Sequence, residues 1–299
     1  MKKNNLPGIA LFVYNRPLHL KKTLNSLMQN YNSSAFDIFI YCDGPKKTSD
    51  IKKVKKVRKI VRDLKHFKSK KVRLSKNNMG LANSLLLGIS ETLKDKESVV
   101  VLEDDLITNK HYLNFMSEGL EFFKNDNLVG SITGYSYTEL EKSENKDVFL
   151  SQRHASWGWG TWRHLWNKMK WEKKWSLKQL NNPNFKKNFN KAGKDMHQML
   201  VEQLEGKSDT LDIMVNLNYF KMNRYCVCPR KSLLFNVGLD GTGIHCKKGD
   251  KVFNNFSNSF KVKKFEKITP QEKIIKRISK SFITPMHLRI YNKLIKLLF

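Results

Sequence analysis

The 299-residue sequence lacks long hydrophobic runs and has few cysteines. No uninterrupted apolar stretch approaches the roughly 18 residues that span a membrane, and no charged start with an apolar core marks a secretory leader. We therefore expect a cytosolic protein in which Cys42, Cys226, Cys228 and Cys246 are reduced thiols. A zinc site formed by the last three with His245 is the alternative, although Cys-X-Cys lacks the usual spacer between zinc ligands.

The sequence also lacks the glycine-rich motifs that bind phosphate groups. Neither Gly-X-Gly-X-X-Gly nor Gly-X4-Gly-Lys-Ser/Thr occurs, which argues against a dinucleotide-dependent oxidoreductase and against a P-loop enzyme. Acidic residues are scarce as well, because 27 Asp and Glu stand against 56 Lys and Arg, for a formal net charge of +29. This excess predicts an anionic partner, such as nucleic acid, acidic lipid or a phosphorylated substrate.

What the sequence does contain, over residues 1–133, is an alternation of strand and helix patterns. Short apolar, β-branched runs predict five strands, and between them apolar residues recur at helical spacing. The five runs cover residues 9–14, 36–41, 72–74, 99–102 and 128–133. Strands separated by helices predict an α/β fold with a mainly parallel, doubly wound sheet that binds a nucleotide at the carboxyl ends of its strands.

Three acidic residues directly follow the fourth of these strands. Residues 99–102 are Val-Val-Val-Leu, and Glu103, Asp104 and Asp105 come next. Adjacent carboxylates repel one another unless a cation or the donors of a ligand share them, and oxygen ligands suit Mg²⁺ or Mn²⁺. The pattern favours a divalent-metal site over the alternative, which is a solvated acidic turn.

All six tryptophans fall between residues 157 and 175. They are Trp157, Trp159, Trp162, Trp166, Trp171 and Trp175. Core packing alone would scatter them along the chain, whereas flat aromatic faces beside glycines commonly stack on sugar rings or bases. We expect at least one of them to face a ligand, with Trp157 and Trp159 of the Trp-Gly-Trp motif as the candidates, and others to lie in the core.

Two segments carry much of the positive charge. Residues 46–76 hold 15 Lys or Arg against Asp50 and Asp63, and their apolar residues at helical spacing indicate the solvated face of a packed helix. Residues 261–299 predict two short basic amphipathic helices, one on each side of Pro285, that lie in the plane of an anionic membrane. The alternative for this amphipathic tail is packing onto the protein's own core.

The order of the motifs resembles that of bacterial family 2-like glycosyltransferases of the GT-A fold. The resemblance covers residues 8–246 and rests on Phe-Val-Tyr-Asn-Arg-Pro at 12–17, Tyr-Cys-Asp-Gly at 41–44, Asn-Met-Gly-Leu-Ala at 78–82 and the acidic triplet. The triplet with the downstream Trp-Gly-Trp is also similar to N-acetylglucosaminyltransferase-I-like sugar transferases. The resemblance implies a nucleotide-sugar donor, a divalent cation, Mn²⁺ or Mg²⁺, and transfer with inversion.

The resemblance also implies roles for the acidic triplet and for a downstream histidine. Asp105 binds the metal that bridges the donor diphosphate, and Glu103 and Asp104 accept hydrogen bonds from ribose or sugar hydroxyls. His245, in the glycine-rich run at 236–245, supplies a second metal ligand or a phosphate contact, and this run closes over the bound donor. The alternative for the run is a surface turn with an incidental histidine.

Four further residues are expected at the donor from the same resemblance. Asp43 accepts a hydrogen bond from the uracil N–H, and Arg16 pairs with a phosphate. Asn78 and Gly80 belong to the asparagine-glycine-leucine element that lies near the donor in these enzymes. All four belong to residues 1–133, the part of the chain expected to bind the nucleotide sugar.

On the acceptor side, an inverting enzyme needs one general base near the attacking hydroxyl. The family pattern matches best at Asp212, although the tryptophan that precedes the base in relatives is missing here. Asp209 and Glu205 therefore stay open as substitutes, and a helix cap is the alternative role for Asp209 or Asp212. Trp157 and Trp159 are expected to contact the acceptor.

These expectations combine into one predicted organisation. Residues 1–133 bind the nucleotide sugar, residues 134–260 bind the acceptor and carry the base, and residues 261–299 form the amphipathic tail. The sequence predicts a bacterial glycosyltransferase, peripheral on the inner face of the cell membrane, that does not bind nucleic acid. It moves a sugar from a UDP-type donor to a glycan or lipid-linked surface polysaccharide.

Two other functions remain as alternatives to a sugar transferase. A sugar-nucleotide pyrophosphorylase would share the α/β sheet with terminal carboxylates, but it would need a glycine-rich loop near the first strand, where Asn15-Arg16-Pro17 stands instead. A non-enzymatic nucleic-acid-binding protein would explain the net charge, but its acidic triplet would repel phosphates. Binding to nucleic acid would also fall steeply with salt, which separates the two alternatives by experiment.

Overall fold

A computed structural model of the protein describes residues 6–141, 144, 146–240 and 253–282. The chain alternates between strands and helices over most of this part. The strands are β1 (Gly8–Val13), β2 (Asp37–Cys42), β3 (Ser69–Leu74), β4 (Ser98–Glu103), β5 (Leu106–Thr108), β6 (Val129–Thr133), β7 (Val148–Ser151), β8 (Trp159–Trp162), β9 (Tyr225–Pro229) and β10 (Leu234–Asn236).

Eight of the described strands form one sheet, in the order β3-β2-β1-β4-β8-β6-β9-β7, while β5 and β10 pair separately. Six of the eight run in one direction, and β7 and β8 run against them. The predicted α/β fold with a mainly parallel sheet is confirmed. All five predicted strands are present, and the sequence pattern missed β5 and the strands from β7 to β10.

The helices between the strands bury one face each. In α2, Val54, Val57 and Val61 are buried, while most of the basic residues between them are exposed, as the period of 3.6 residues requires. The described helices are α1 (Pro17–Met28), α2 (Ile51–Asp63), α3 (Leu81–Asp95), α4 (Tyr112–Phe123), α5 (Arg163–Trp166), α6 (Lys173–Leu180), α7 (Phe185–Phe189), α8 (Met196–Leu204), α9 (Asp212–Lys221) and α10 (Glu272–Ser281).

The strand order reverses between β1 and β4, and this reversal positions the candidate site. Along the chain, β2 and β3 are added on one side of β1, and β4 is added on the other. The register places Phe12 opposite Glu103 and Val13 opposite Cys42, so β1, β2 and β4 end at the same edge of the sheet. Open α/β sheets bind ligands at the carboxyl ends of the strands beside such a reversal.

One sheet and one main core run through both predicted halves of the chain. Strand β8 lies between β4 and β6 and is antiparallel to each, so Val101 pairs with Trp159. The main cluster of buried apolar side chains likewise extends from Ile9 to Ile268, and a smaller cluster joins α7, α8 and α9. The predicted boundary at residue 133 separates a donor-binding part from an acceptor-binding part, and this division of roles stays a prediction.

Helix α10 corrects the prediction for the first half of the amphipathic tail. Its apolar residues Ile274 and Ile278 are 2% exposed and pack with Leu140 and Phe149. The apolar face is covered by protein, so the alternative of packing on the core holds for this helix, and an in-plane lipid anchor does not. The second predicted helix, within 283–299, lies outside the described residues.

The described residues offer no membrane span and no preformed metal cluster. No helix in this part of the chain is both long enough and apolar enough to cross a bilayer. Among the same residues, no group of three or more His, Cys, Asp or Glu side chains could hold a metal ion. Cys226 and Cys228 are buried free thiols, while Cys246 and His245 of the alternative zinc set lie outside the described residues.

Candidate functional site

Arg16 connects the end of β1 to the acidic triplet at the end of β4. It stands between β1 and α1, and its Nη2 lies 2.8 Å from Oδ1 of Asp104 and 2.9 Å from Oδ2 of Asp105. Proline at the first position of α1 fixes where the helix starts, and therefore where Arg16 projects. The structure thus brings together three of the residues that the sequence predicted at the donor and the metal.

The triplet concentrates negative charge in a buried place. Asp104 accepts a hydrogen bond from the backbone N–H of Tyr14 at 3.2 Å, and burial raises the pKa of Asp104 to about 6, although the Arg16 guanidinium acts in the opposite direction. Burial raises the pKa of Glu103 well above its usual range, and the charges of Asp105 and Asp212 raise it further. A cation placed here would relieve this repulsion.

Two polar atoms of this cluster lack partners. Oδ1 of Asp105 and Nη1 of Arg16 are buried and have no hydrogen-bond partner among the described residues. Buried polar atoms are nearly always hydrogen-bonded, so these two atoms indicate a place for a ligand. A carboxylate oxygen fits Mn²⁺ or Mg²⁺ as a ligand, and a guanidinium N–H fits a phosphate oxygen.

The segment from Asn236 to Asp240 covers the triplet. The backbone N–H of Val237 donates to the carbonyl oxygen of Asp105 at 2.9 Å. Gly238 packs so closely that a Cβ on it would lie 2.2 Å from Oδ2 of Asp105, so only glycine fits without displacing the carboxylate. This segment is the start of the glycine-rich run predicted to close over the donor, whereas His245 lies outside the described residues.

Asp43 and Asn78 meet at the end of β2. Oδ1 of Asp43 accepts from the backbone N–H groups of Gly44 at 2.7 Å and of Met79 at 2.9 Å. Oδ2 accepts from Nδ2 of Asn78 at 2.9 Å, and the same amide nitrogen donates to the carbonyl oxygen of Gly44 at 3.0 Å. Asp43 and Asn78, which were predicted separately, therefore form one hydrogen-bonded group in which the orientation of the carboxylate is fixed.

Asp50 is a site residue that the sequence analysis missed. Its carboxylate accepts from the Tyr14 hydroxyl at 2.8 Å and from Nδ2 of Asn15 at 2.9 Å, and so it orders the turn just before Arg16. The hydrogen bond from Tyr14 lowers the pKa of Asp50. The sequence did contain a clue to this role. Asp50 is an acidic residue directly before α2, within a strongly basic segment, and such an exception to the local charge often marks a specific interaction.

Asp212 is the first residue of α9. Its charge is one of those that raise the pKa of Glu103, which places the two carboxylates within electrostatic reach of each other. The carbonyl oxygen of Asp212 accepts from Nδ2 of Asn216 at 2.9 Å, a contact within the helix. The role of Asp212 as the general base stays a prediction.

The two substitutes for Asp212 are engaged elsewhere. Asp209 accepts from the backbone N–H groups of Leu81 and Ala82 at the start of α3, at 2.8 and 3.1 Å. Glu205 is exposed and pairs with Lys207 at 2.7 Å. The cap that the sequence left open for Asp209 is present, but it caps a helix remote in sequence.

The two predicted acceptor tryptophans differ in exposure. Trp157 is partly exposed and packs against Tyr135, with ring centroids 4.8 Å apart. Trp159 is 3% exposed in β8, and its ring packs against His154 at 4.5 Å and against Trp166 at 6.3 Å. The burial of Trp159 gives it a place in the core, so of the pair only Trp157 has a surface that an acceptor can contact.

Comparison with known proteins adds a sequence family. Residues 9–197 match the sequence model of glycosyl transferase family 2. No curated protein matches the chain at significant sequence similarity.

Several solved structures are similar to the chain at low identity. S. aureus TarS 1-349 in complex with UDP shares 15% identity at a TM-score of 0.37, covering 54% of this chain and 48% of that one. Mannosyltransferase PcManGT from Pyrobaculum calidifontis, in complex with GDP-Man and Mn²⁺, shares 9% at 0.38, covering 73% and 71%. The chain thus spans about half the length of the TarS 1-349 structure, and similarities this distant say nothing about its activity.

Proposed function

The chain belongs to glycosyl transferase family 2, and on this premise we propose that it transfers a sugar from a UDP-type donor to a hydroxyl group of a glycan or lipid-linked acceptor. One observation carries the proposal: the ends of β2, β1 and β4 bring a fixed carboxylate and an Arg-bound acidic triplet to one edge of the sheet. Neither a pyrophosphorylase nor a nucleic-acid-binding protein is supported by this family membership.

The donor is proposed to lie along these strand ends. Asp43, held by Asn78 and by two backbone N–H groups, accepts from the N–H of the uracil base. Arg16, with its unpartnered Nη1, binds a phosphate oxygen, and Asp104 and Glu103 accept from ribose or sugar hydroxyls. The order from Asp43 through Arg16 to the triplet matches the order of base, phosphates and sugar in a nucleotide sugar.

A divalent cation belongs to the proposal through Asp105. Oδ1 of Asp105 is buried and has no hydrogen-bond partner among the described residues, so this oxygen suits Mn²⁺ or Mg²⁺. When bound, such an ion neutralises the charge that develops on the departing nucleoside diphosphate. His245 as a second ligand rests on the sequence resemblance alone.

The reaction is proposed as one displacement with inversion at the anomeric carbon. The Asp212 carboxylate takes the proton of the acceptor hydroxyl while that oxygen bonds to the anomeric carbon. The bond from the anomeric carbon to the diphosphate oxygen breaks in the same step, and Arg16 stabilises the departing phosphate. Trp157 offers an aromatic face for the acceptor sugar. A lipid-linked acceptor would place the enzyme at the inner face of the cell membrane.

Calorimetric titration with UDP, with and without MnCl₂, tests the donor site. We expect UDP binding that strengthens with Mn²⁺, and loss of the Mn²⁺ effect in Asp105→Asn. Asp63→Asn is the matched control, because Asp63 is an exposed acid of α2 paired with Lys59 outside the site. Binding of GDP in preference to UDP would change the proposed donor, and failure to bind any nucleoside diphosphate would contradict the proposal.

A further inference from the structure

Asp209 joins two parts of the site that lie far apart in sequence. It stands in the loop between α8 and α9, and its two carboxylate oxygens accept from the N–H groups of Leu81 and Ala82, 128 and 127 residues earlier in the chain. These N–H groups are among the first of α3, which need a partner outside the helix. Helix α3 has no side-chain cap of its own, because the residue before it is Gly80.

Gly80 makes the approach of Asp209 sterically feasible. It has φ +80°, a conformation that favours glycine, and a Cβ on it would lie 2.6 Å from Oδ2 of Asp209. Three features therefore match one another. Helix α3 has no side-chain cap of its own, Gly80 has no Cβ to block the approach, and the Asp209 carboxylate occupies that space. Together they indicate that the contact between Asp209 and α3 is built into the site.

The residues just before α3 contact Asp43, which is proposed to bind the nucleotide-sugar donor. Asn78 and Met79, which come just before Gly80, hold the Asp43 carboxylate through Nδ2 and a backbone N–H, both at 2.9 Å. Residues 78 and 79 are therefore held to Asp43, and residues 81 and 82, just after Gly80, are held to Asp209. A change at Asp209 removes the second of these contacts.

The acceptor side of the contact leads to Asp212. Asp212 follows Asp209 by three residues, and between them Leu211 is 5% exposed and packs in the main core. The backbone N–H of Thr210 donates to Oε1 of Gln203 in α8 at 3.0 Å. The short segment 209–212 is thus held by a hydrogen bond to α8, by the packing of Leu211 and by the hydrogen bonds from α3 to the Asp209 carboxylate.

We propose that Asp209 is a positioning residue, which fastens the general base Asp212 to the turn that holds the donor-binding carboxylate of Asp43. The inference rests on the proposed function, since it needs Asp212 as the base. Asp209 is assigned to positioning and not to proton transfer, because both of its oxygens accept backbone N–H groups that hold it against the start of α3. In this arrangement a displacement of the turn 78–80 is transmitted to Asp212, so donor binding and base alignment are coupled.

A double-mutant cycle tests whether Asp209 acts through Asp212. The variants are Asp209→Ala, Asp209→Asn, Asp212→Asn and the double variant Asp209→Ala/Asp212→Asn, assayed for UDP release from a UDP-sugar with water or an alkyl glycoside as acceptor. We expect Asp209→Ala to lower kcat by about 10- to 100-fold, as misplacement of a catalytic group does. In the Asp212→Asn background the same change should lower kcat less than threefold further. Full additivity would overturn the proposal.

The pH profile separates positioning from catalysis. Asp209→Ala should keep the acid limb of the kcat/KM profile at the wild-type pH with a lower plateau, whereas Asp212→Asn should remove that limb. Asp209→Asn, which keeps one acceptor oxygen, should recover part of the lost rate. Removal of the limb by Asp209→Asn, with its retention in Asp212→Asn, would make Asp209 the base and overturn the proposal.

Two controls keep the outcomes distinct. Glu205→Gln neutralises an exposed acid of the same loop and should leave kcat within twofold of wild type; a loss equal to that of Asp209→Asn would overturn the positioning role. UDP titration with Mn²⁺ reports on the proposed function by itself. If wild type does not bind UDP, the proposed function fails, and if wild type binds UDP while Asp209→Ala turns over normally, the positioning role alone fails.

Discussion

Two carboxylates that follow the strands on either side of β1, Asp43 after β2 and Asp105 after β4, differ in how fully their oxygens are satisfied. Asp43 accepts three hydrogen bonds from protein donors, and these fix its orientation. Asp105 is paired with Arg16 through one oxygen, while the other oxygen is buried without a hydrogen-bond partner among the described residues. Both are buried to a similar degree, at 8% and 6% exposed.

This difference in hydrogen bonding indicates which kind of ligand group each carboxylate can bind. A carboxylate held by neutral donors is preorganised for one more neutral donor, such as the N–H of a base. A carboxylate with an unfilled oxygen, beside acids whose pKa values are raised by burial and mutual repulsion, needs a positive charge to be stable. Under the proposed function, the satisfied carboxylate suits a neutral N–H of the base, and the unsatisfied one suits a cation.

The largest expected effect comes from removing the unsatisfied charge. Asp105→Asn should lower the turnover of a UDP-sugar by about three powers of ten, because electrostatic stabilisation of the leaving group is lost. Turnover should be measured across a range of MnCl₂ concentrations. The control Asp63→Asn should follow the wild-type curve, and a fully active Asp105→Asn would show that no metal acts through this residue.

Filling the space beside Asp105 should have the next largest effect. Gly238→Ala places a Cβ 2.2 Å from Oδ2 of Asp105, which displaces the carboxylate, so we expect Mn²⁺-dependent UDP affinity to fall by about tenfold, or 1.4 kcal/mol. Val237→Ala is the control, since it keeps the backbone N–H that donates to Asp105. Equal losses in both variants would indicate that the segment matters only as a whole.

Loosening the satisfied carboxylate should weaken the binding of UDP without changing its metal dependence. Asn78→Ala removes one of the three donors to Asp43, and a typical hydrogen bond is worth about 1 kcal/mol, so we expect UDP affinity to fall by about fivefold. The exposed neighbour Asn77 provides the control variant Asn77→Ala. If Asn78→Ala also changed the dependence of UDP binding on Mn²⁺, the two carboxylates would not act separately, and this comparison would be wrong.

The smallest expected effect is on stability and depends on pH. Because the pKa of Asp50 is lowered on folding, its stabilisation is present above the unfolded pKa of about 3.9 and is lost as pH falls through the folded pKa. Asp50→Asn should therefore cost on the order of 1 kcal/mol at pH 7 and less near pH 2. Urea unfolding at both pH values measures this, and a difference that persists in acid would assign the effect to packing.

The two edges of the sheet show where sequence periodicity falls short. Edge strand β3 is mostly exposed and carries Lys and Arg, which discourage pairing with another chain, whereas edge strand β7 is buried and contacts α10. The pattern of Ile274 and Ile278 correctly predicted an amphipathic helix. It did not reveal whether lipid or protein covers the apolar face. The spacing of apolar residues shows which face of a helix is apolar, but it does not show what that face packs against.

The sequence by itself determined the α/β alternation, the acidic triplet at a strand end and the motifs around Asp43 and Asn78, because these depend on short-range patterns. Only the tertiary structure decided that Arg16 bridges Asp104 and Asp105, that Trp159 is buried beside β4, and that Asp209 caps a helix more than 100 residues away. Each of these contacts joins segments that no local pattern relates. They exist because β1 and β4 became neighbours in the sheet, β8 joined β4, and the loop before α9 reached the start of α3; such packing depends on the whole chain.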